Sequence, residues 1–325
     1  MSWLRILSIA VGLGLAVLAI AGGPRDKLGT KSKWILACAG VVLVALGAVG
    51  TYAPRVALWR GWLILSGGLV DVGGYRLRIE CIGAGKPTVV MDAGLAQDRS
   101  TWGQVPSGVA AFTRVCTYDR AGLGESEAGA KPRTSQQIVA ELQVLLKRAG
   151  IQSPYLLVGH SFGGANVRLF ASQHPDAVVG IVLVDASQED QTARYAELMT
   201  ASDRDAYLRH EQGENYEGVN VEASLEEVRA SPLQSPIALT VLAATKQDPS
   251  GHAREAQLHD ELQRKLADLV PHSKLIFVPD SGHFIQLDQP QVVIQAVHDM
   301  VDRLRQGAQS SRLLTPLRAV LSSVE

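Results

Sequence analysis

The 325-residue chain offers little to a metal ion or a cofactor. Its three cysteines, Cys38, Cys81 and Cys116, include no Cys-x-x-Cys pair, which argues against a zinc site and against a small disulfide-framework fold. No His-x-x-x-His and no Asp-rich loop supplies metal ligands, and no phosphate-cradling glycine loop appears, so no cofactor is expected. Lys and Arg number 31 against 32 Asp and Glu, for a net charge of -1, so there is no global electrostatic footprint for nucleic acid. Charge is scarce altogether. It makes up 19% of residues against 46% hydrophobic, a balance that leans apolar for a soluble enzyme. A chain of this length holds one large domain with appendages, or two modest ones.

The apolar excess lies at the N-terminus. Residues 6–21 are apolar or small throughout, and with Trp3 and Leu4 they give a spanning helix over about residues 3–22. A second stretch, residues 34–53, is uncharged and matches the ~20 residues that one bilayer crossing needs. A signal peptide accounts for the first stretch but not for the second directly behind it, and neither shows a polar face. The two predict a transmembrane helical hairpin, with residues 1–68 as a membrane anchor ending in an interfacial linker around Trp59, Arg60 and Trp62. Between the helices Arg25, Lys27, Lys31 and Lys33 stand against Asp26, whereas the outer flanks hold Arg5, Arg55 and Arg60. The positive-inside tendency therefore puts the short loop in the cytoplasm and both termini outside, with the catalytic domain extracytoplasmic.

From about Leu69 short apolar runs alternate with helical stretches. Strands are expected at residues 75–82, 88–92, 113–118, 155–158, 179–184, 238–244 and 274–278. Helices are expected at 135–149, 253–269 and 291–304. That order implies an α/β, doubly wound, mostly parallel sheet covered on both faces, over residues 69–305. Residues 188–235 interrupt it with short helices, one opened by a Ser224-x-x-Glu227 capping pattern. Eleven acids against four arginines give this insertion a net charge of −7. Either it is a lid biased against anionic substrates, or its acids merely keep a solvated insertion soluble. Residues 306–325, Ser-rich and containing Pro316, read as a poorly ordered tail.

One pentapeptide carries chemistry. Gly159-His160-Ser161-Phe162-Gly163 follows the apolar run Leu156-Leu157-Val158 and precedes a helix-like segment opening on Gly164 and Ala165. The Gly-x-Ser-x-Gly pattern alone is expected by chance roughly 0.2 times. In this context it lifts Ser161 out of the backbone at the C-terminal edge of a sheet, as an activated nucleophile requires. Such a serine needs a base, an acid to orient that base, and donors for the oxyanion. Of eight histidines, His283 is the candidate base, because it follows the strand at 274–278 in a flexible Ser281-Gly282-His283-Phe284 loop. His160 is expected to point away from the serine, and His259 to lie on a helix in a solvated or packed role. The acid should lie between serine and histidine in the chain. Asp248 is preferred for its shorter reach from the strand at 238–244, and Asp185, one strand earlier, is the alternative. Phe162 N–H at a helix N-terminus and Leu95 N–H in the sharp Ala93-Gly94-Leu95 turn are the candidate oxyanion donors.

These pieces, with Tyr118-Asp119-Arg120-Ala121-Gly122-Leu123-Gly124-Glu125-Ser126 and Lys246-Gln247-Asp248, resemble the α/β-hydrolase fold superfamily over roughly residues 69–305. Their order along the chain is the family's nucleophile, acid, base order. The resemblance implies an eight-stranded, mostly parallel sheet with a helical cap after the sixth strand, where residues 188–235 fall. It implies a structural loop at 118–126, so Asp119, Arg120 and Ser126 receive no catalytic role. It also implies that the strands holding Cys81 and Cys116 are neighbours, which leaves a disulfide open to an extracytoplasmic domain. Many members carry His-Gly before the oxyanion loop, where Ala93-Gly94 stands here. A serine nucleophile sets the chain apart from the dehalogenase and epoxide-hydrolase branches, which use aspartate. The expected function is a membrane-anchored, esterase- or lipase-like serine hydrolase acting on a small-molecule or lipid acyl substrate. The alternatives are an acyltransferase using an alcohol or amine acceptor, and a non-catalytic binding protein on the same frame.

Overall fold

Most strands of this chain are apolar on both faces, which requires a layer of helices on each side of the sheet. The computed structural model describes residues 66–233, 237–245 and 253–321, with side chains as far as residue 307. The expected hairpin, its linker as far as residue 65, and Asp248 lie outside the described residues. Among the described residues no helix is long and apolar enough to cross a membrane.

The strands are β1 (Ser66–Asp71), β2 (Arg76–Ile82), β3 (Thr88–Asp92), β4 (Val115–Tyr118), β5 (Tyr155–His160), β6 (Val178–Val184), β7 (Ala238–Ala244) and β8 (Lys274–Val278). The helices are α1 (Val105–Val109), α2 (Ser135–Arg148), α3 (Gly163–Gln173), α4 (Gln191–Ala196), α5 (Ala201–Glu211), α6 (Val221–Arg229), α7 (Ala253–Ala267), α8 (Ile285–Asp288) and α9 (Pro290–Leu321). The eight strands form one sheet in the order β1-β2-β4-β3-β5-β6-β7-β8. The β1–β2 and β2–β4 pairs are antiparallel, and every later pair is parallel. Strand β1 escaped the sequence reading because Ser-Gly-Gly-Leu-Val-Asp has no apolar alternation, and it starts the domain before residue 69.

Side chains alternate between the two faces. Leu157, Ile181 and Leu183 pack with Leu142, Leu145 and Phe170 from α2 and α3. Leu156, Val158, Val182 and Val184 pack on the other face with Trp102 and with Val293, Val297 and Val301 of α9. Cys81 on β2 lies opposite Cys116 on β4, and the two form a buried disulfide.

Helices α4, α5 and α6 make up the insertion between β6 and β7, where a cap was expected. Its opening pattern differs from the expectation. The N-cap of α6 is Asn220, whose Oδ1 accepts from Ala223 N–H at 2.9 Å, while Ser224 lies inside the helix. Ser224 is needed elsewhere: its Oγ accepts from Ser135 N–H at 2.9 Å, and Glu227 accepts from Gln136 N–H at 2.8 Å. Helix α2 has no side-chain cap of its own at Thr134, so the insertion satisfies two of its orphan amides. Glu189 pairs with Arg168 of α3, Glu217 with Arg120, and Asp190 with Lys265 of α7. Several of the insertion's acids therefore fasten it to the sheet domain, a use that neither the lid nor the solubility reading named.

The C-terminal segment also departs from expectation. Helix α9 runs to Leu321, so the stretch read as a loose tail has a helical backbone through most of its length. Gln, Arg, Leu and Ala dominate residues 306–321 and favour helix, a weight that the serines and Pro316 obscured.

The Asn220→Ala variant is expected to lose about 1 kcal/mol of stability through the lost cap. A urea midpoint shift with unchanged slope measures it, and an unchanged midpoint rules the cap contribution out.

Candidate active site

The turn from β5 into α3 is built on one left-handed residue. Ser161 has φ 52°, which costs a non-glycine residue on the order of 1–3 kcal/mol. Its surroundings enforce that conformation. A Cβ at Gly163 would stand 2.3 Å from Asp92 O, and one at Gly159 would stand 2.6 Å from Gly163 O. Only glycine allows the elbow to close this tightly against the end of β3. Ser161 N–H donates to Val184 O at 3.1 Å, and Ser161 O accepts from Ser187 N–H at 3.0 Å. The serine is thus pinned to both ends of the short segment that contains Asp185.

Asp185 is also left-handed, with φ 45°. Its carboxylate crosses the end of β7, where Oδ1 accepts from Ala244 N–H at 2.8 Å. On the far side His283 Nδ1–H donates to Oδ2 at 2.7 Å. Asp248, expected to have the shorter reach to His283, lies outside the described residues. In the structure Asp185 spans that distance because its backbone turns the carboxylate over the intervening strand. A third donor, His259 Nε2–H on α7, meets Oδ1 at 2.9 Å. Burial alone would raise the Asp185 carboxyl, but the His259 and His283 imidazoles hold it well below the usual carboxylate range. The Ser161 hydroxyl and His283 Nε2 make no hydrogen bond among the described residues. Bonds of this kind often tighten only when substrate is bound.

His160 packs against the loop that carries His283. Its ring lies 4.7 Å from the His283 ring, and its Nε2–H donates to the His283 main-chain O at 3.0 Å. The last residue of β5 faces the side where the loop after β8 crosses, a direction that the pentapeptide does not reveal. Burial pushes the His160 imidazole down to about 3, and the neighbouring His283 adds to the effect. His160 is therefore a neutral strut holding the loop that carries His283.

The two candidate oxyanion donors are treated alike. Gly94 N–H donates to Gln97 Oε1 at 3.2 Å and Ala96 N–H to Glu217 Oε2 at 2.9 Å, while Leu95 N–H between them has no partner among the described residues. Phe162 N–H is likewise unpartnered and sits at the N-terminus of α3. What holds the loop is Arg120, which is buried together with its partners. Its Nη1 donates to Asp92 Oδ1 at 2.6 Å and to Ala93 O at 2.7 Å, and its Nη2 to Gly94 O at 2.6 Å. Nε and Nη2 bind Glu217 of the cap at 2.6 and 2.8 Å. Burial works against the Arg120 cation, but Glu217 and Asp92 raise its pKa well above the ordinary arginine value. Arg120, expected to belong to a structural loop, ties the 93–95 loop to Asp92 and to the cap, and the signal was its place in the 118–126 motif. Nothing in the sequence singled out Glu217 or His259. Among the described residues no cluster of His, Cys, Asp or Glu side chains could hold a metal ion.

Comparison with known proteins agrees with this architecture. A family model described as "Alpha/beta hydrolase family" matches residues 89–296, and the chain belongs to that family. Its sequence is 29% identical over 221 residues to the uncharacterized protein YqjL of Bacillus subtilis, covering 67% of this chain and 85% of that one. It is 33% identical over 78 residues to an uncharacterized vacuolar membrane protein of Saccharomyces cerevisiae, covering 24% of this chain and 12% of that one. The fold is similar to that of a thermophilic esterase from Thermogutta terrifontis, at TM-score 0.53 and 20% identity over 74% of this chain and 98% of that one. It is also similar to the enol-lactonase from Burkholderia xenovorans LB400, at TM-score 0.53 and 19% identity over 72% of this chain and 99% of that one. At such identities the likeness concerns the fold alone.

His160 makes stability depend on pH. Its folded pKa of about 3 lies below the ordinary 6.5, so the unfolded chain takes up a proton that the native protein refuses. That contribution is full above about pH 6.5 and is lost as pH falls toward 3, by up to about 1.4 kcal/mol per unit. Urea midpoints between pH 7 and pH 4 should fall less steeply for His160→Gln than for the wild type. Parallel curves would contradict the neutral-strut assignment.

Proposed function

We propose that the protein is a serine hydrolase that cleaves a carboxylic ester or related acyl bond through an acyl-enzyme on Ser161. The observation that carries this reading is the hydrogen bond from His283 Nδ1–H to the buried Asp185 carboxylate, beside a left-handed serine whose backbone is tied to the same segment. His283 Nε2 takes the proton from Ser161 Oγ as the oxygen attacks the acyl carbonyl carbon. Asp185 holds the imidazole in the required tautomer and stabilises the imidazolium. Phe162 and Leu95 N–H receive the oxyanion, with the Phe162 donor aided by the dipole of α3. His283 then returns the proton to the departing alcohol, and water attacks the acyl-enzyme with the same base accepting its proton. No step calls on a cofactor.

We place the hydrolase at a membrane surface, outside the cytoplasm. Support comes from the two uncharged N-terminal stretches, from the cationic loop between them, and from the Cys81–Cys116 disulfide, which suits an oxidising compartment. The yeast relative described as a vacuolar membrane protein is in keeping with this.

A fluorophosphonate probe should label wild-type protein at Ser161 and leave Ser161→Ala unlabelled. Folded wild type that resists the probe, under conditions that label a control esterase, would sink the proposal. The acid is tested separately. Asp185→Asn should lower kcat/KM by roughly 10³-fold or more, while Asp248→Asn stays within about tenfold of wild type. The reverse order of losses would move the acid to Asp248.

A further inference from the structure

One carboxylate in this site serves two histidines. Asp185 Oδ2 accepts from His283 Nδ1–H at 2.7 Å, and Oδ1 accepts from His259 Nε2–H at 2.9 Å. The usual orienting acid has one imidazole to stabilise, and its remaining capacity goes to main-chain amides. Here Ala244 N–H takes part of that capacity and His259 takes the rest. His259 comes from α7, half-buried, at the end of a helix face that also sends Gln263 to Ala186 O at 2.9 Å. That second bond fixes α7 against the segment carrying Asp185, so the His259 contact is part of a built junction.

We infer that His259 is a positioning residue that sets the pH at which His283 becomes a competent base, by sharing the Asp185 carboxylate. The inference rests on the reading of His283 as the base. A proton on His259 puts a positive charge against Asp185 and offsets the negative charge that His283 sees. His283 then meets a weaker net negative charge at Asp185 than the carboxylate alone would present. Burial opposes the charged form of His259, but the Asp185 carboxylate outweighs it and raises its pKa above the ordinary imidazole value.

The surrounding groups do not duplicate this role. On its own helix Asp260 lies 3.7 Å from His259 Nδ1 and favours the same charged form. From the cap, Arg194 of α4 is engaged by Glu261, and Tyr195 senses Asp185 and Glu255, with burial chiefly pushing its hydroxyl up to about 12. On the far side of Asp185, His160 is neutral and faces His283. Among the described residues His259 is thus the second imidazole on the carboxylate that holds His283. Two histidines on one carboxylate titrate as a coupled set rather than as two independent groups.

Two readouts test this on the full chain. The acid limb of the kcat/KM profile should move to higher pH by about 0.5–1.5 units in His259→Gln, which keeps a neutral donor near Asp185 and removes the charge. Imidazole NMR titration of histidine-labelled protein should show the same displacement of the His283 curve. In the wild type that curve should carry a second inflection where His259 titrates. The wild-type measurement needs no variant, so a folding failure of His259→Gln leaves the idea testable. A His283 curve with one inflection in the wild type, or an unmoved curve in folded His259→Gln, overturns the inference. Fluorophosphonate labelling of the same samples separates the two readings: labelling without displacement defeats the His259 role alone, and displacement without labelling defeats the hydrolase reading alone.

Discussion

A guanidinium sealed away from water sets the terms for much of this domain. Taking such a cation out of solvent costs several kcal/mol unless every donor is matched, and all five N–H groups of Arg120 are. Their acceptors come from three places: the Asp92 side chain at the end of β3, the main chain of Ala93 and Gly94, and Glu217 of the cap. None can move without leaving a buried charge short of a partner. The loop that presents Leu95 N–H is therefore fixed by a cation beneath it and a cap acid beside it. This is a rigid arrangement, as oxyanion stabilisation requires. The cap's attachment at this point also sets it apart from a freely hinged lid.

The same economy of movement governs the rest of the site. Ser161 and Asp185 both sit in left-handed conformations at the ends of adjacent strands, joined by main-chain hydrogen bonds. His283 is held at its side chain by Asp185 and at its main chain by His160. Each chemical group is positioned by a neighbour that does no bond-making itself. Strain at Ser161 is sustained by packing at Gly159 and Gly163, where no side chain fits.

Much of this was legible in the sequence, and the reason differs from case to case. Strands β3, β5, β6 and β7 announce themselves because both faces are buried, so their apolar runs are continuous, and β8 keeps an apolar run although it lies at the sheet edge and is only partly buried. Strand β1 does not, because an edge strand with two glycines has no such signature. Ser161 and His283 were readable because local motifs fix their backbone settings. The contact between Asp185 and His283 was not legible in any motif, since it depends on a backbone twist and a path over β7 that spacing does not encode. His259, Glu217 and the turn of His160 toward the base depend on how helices and cap pack, and the linear pattern of their own segments is silent about it. Ser224 shows the opposite error. Its capping pattern was present, but the residue serves another helix's N-terminus.

The link between Cys81 and Cys116 closes a covalent ring around β3 and the turn that follows it. Arg99, Trp102 and Leu95 all lie within that ring. A protease cutting any bond between residues 82 and 115 would open the chain without releasing either piece. The ends would stay tethered across β2 and β4, and the domain would part only in the presence of a reductant. The segment bearing Leu95 can therefore survive a nick that would dismantle an unlinked fold.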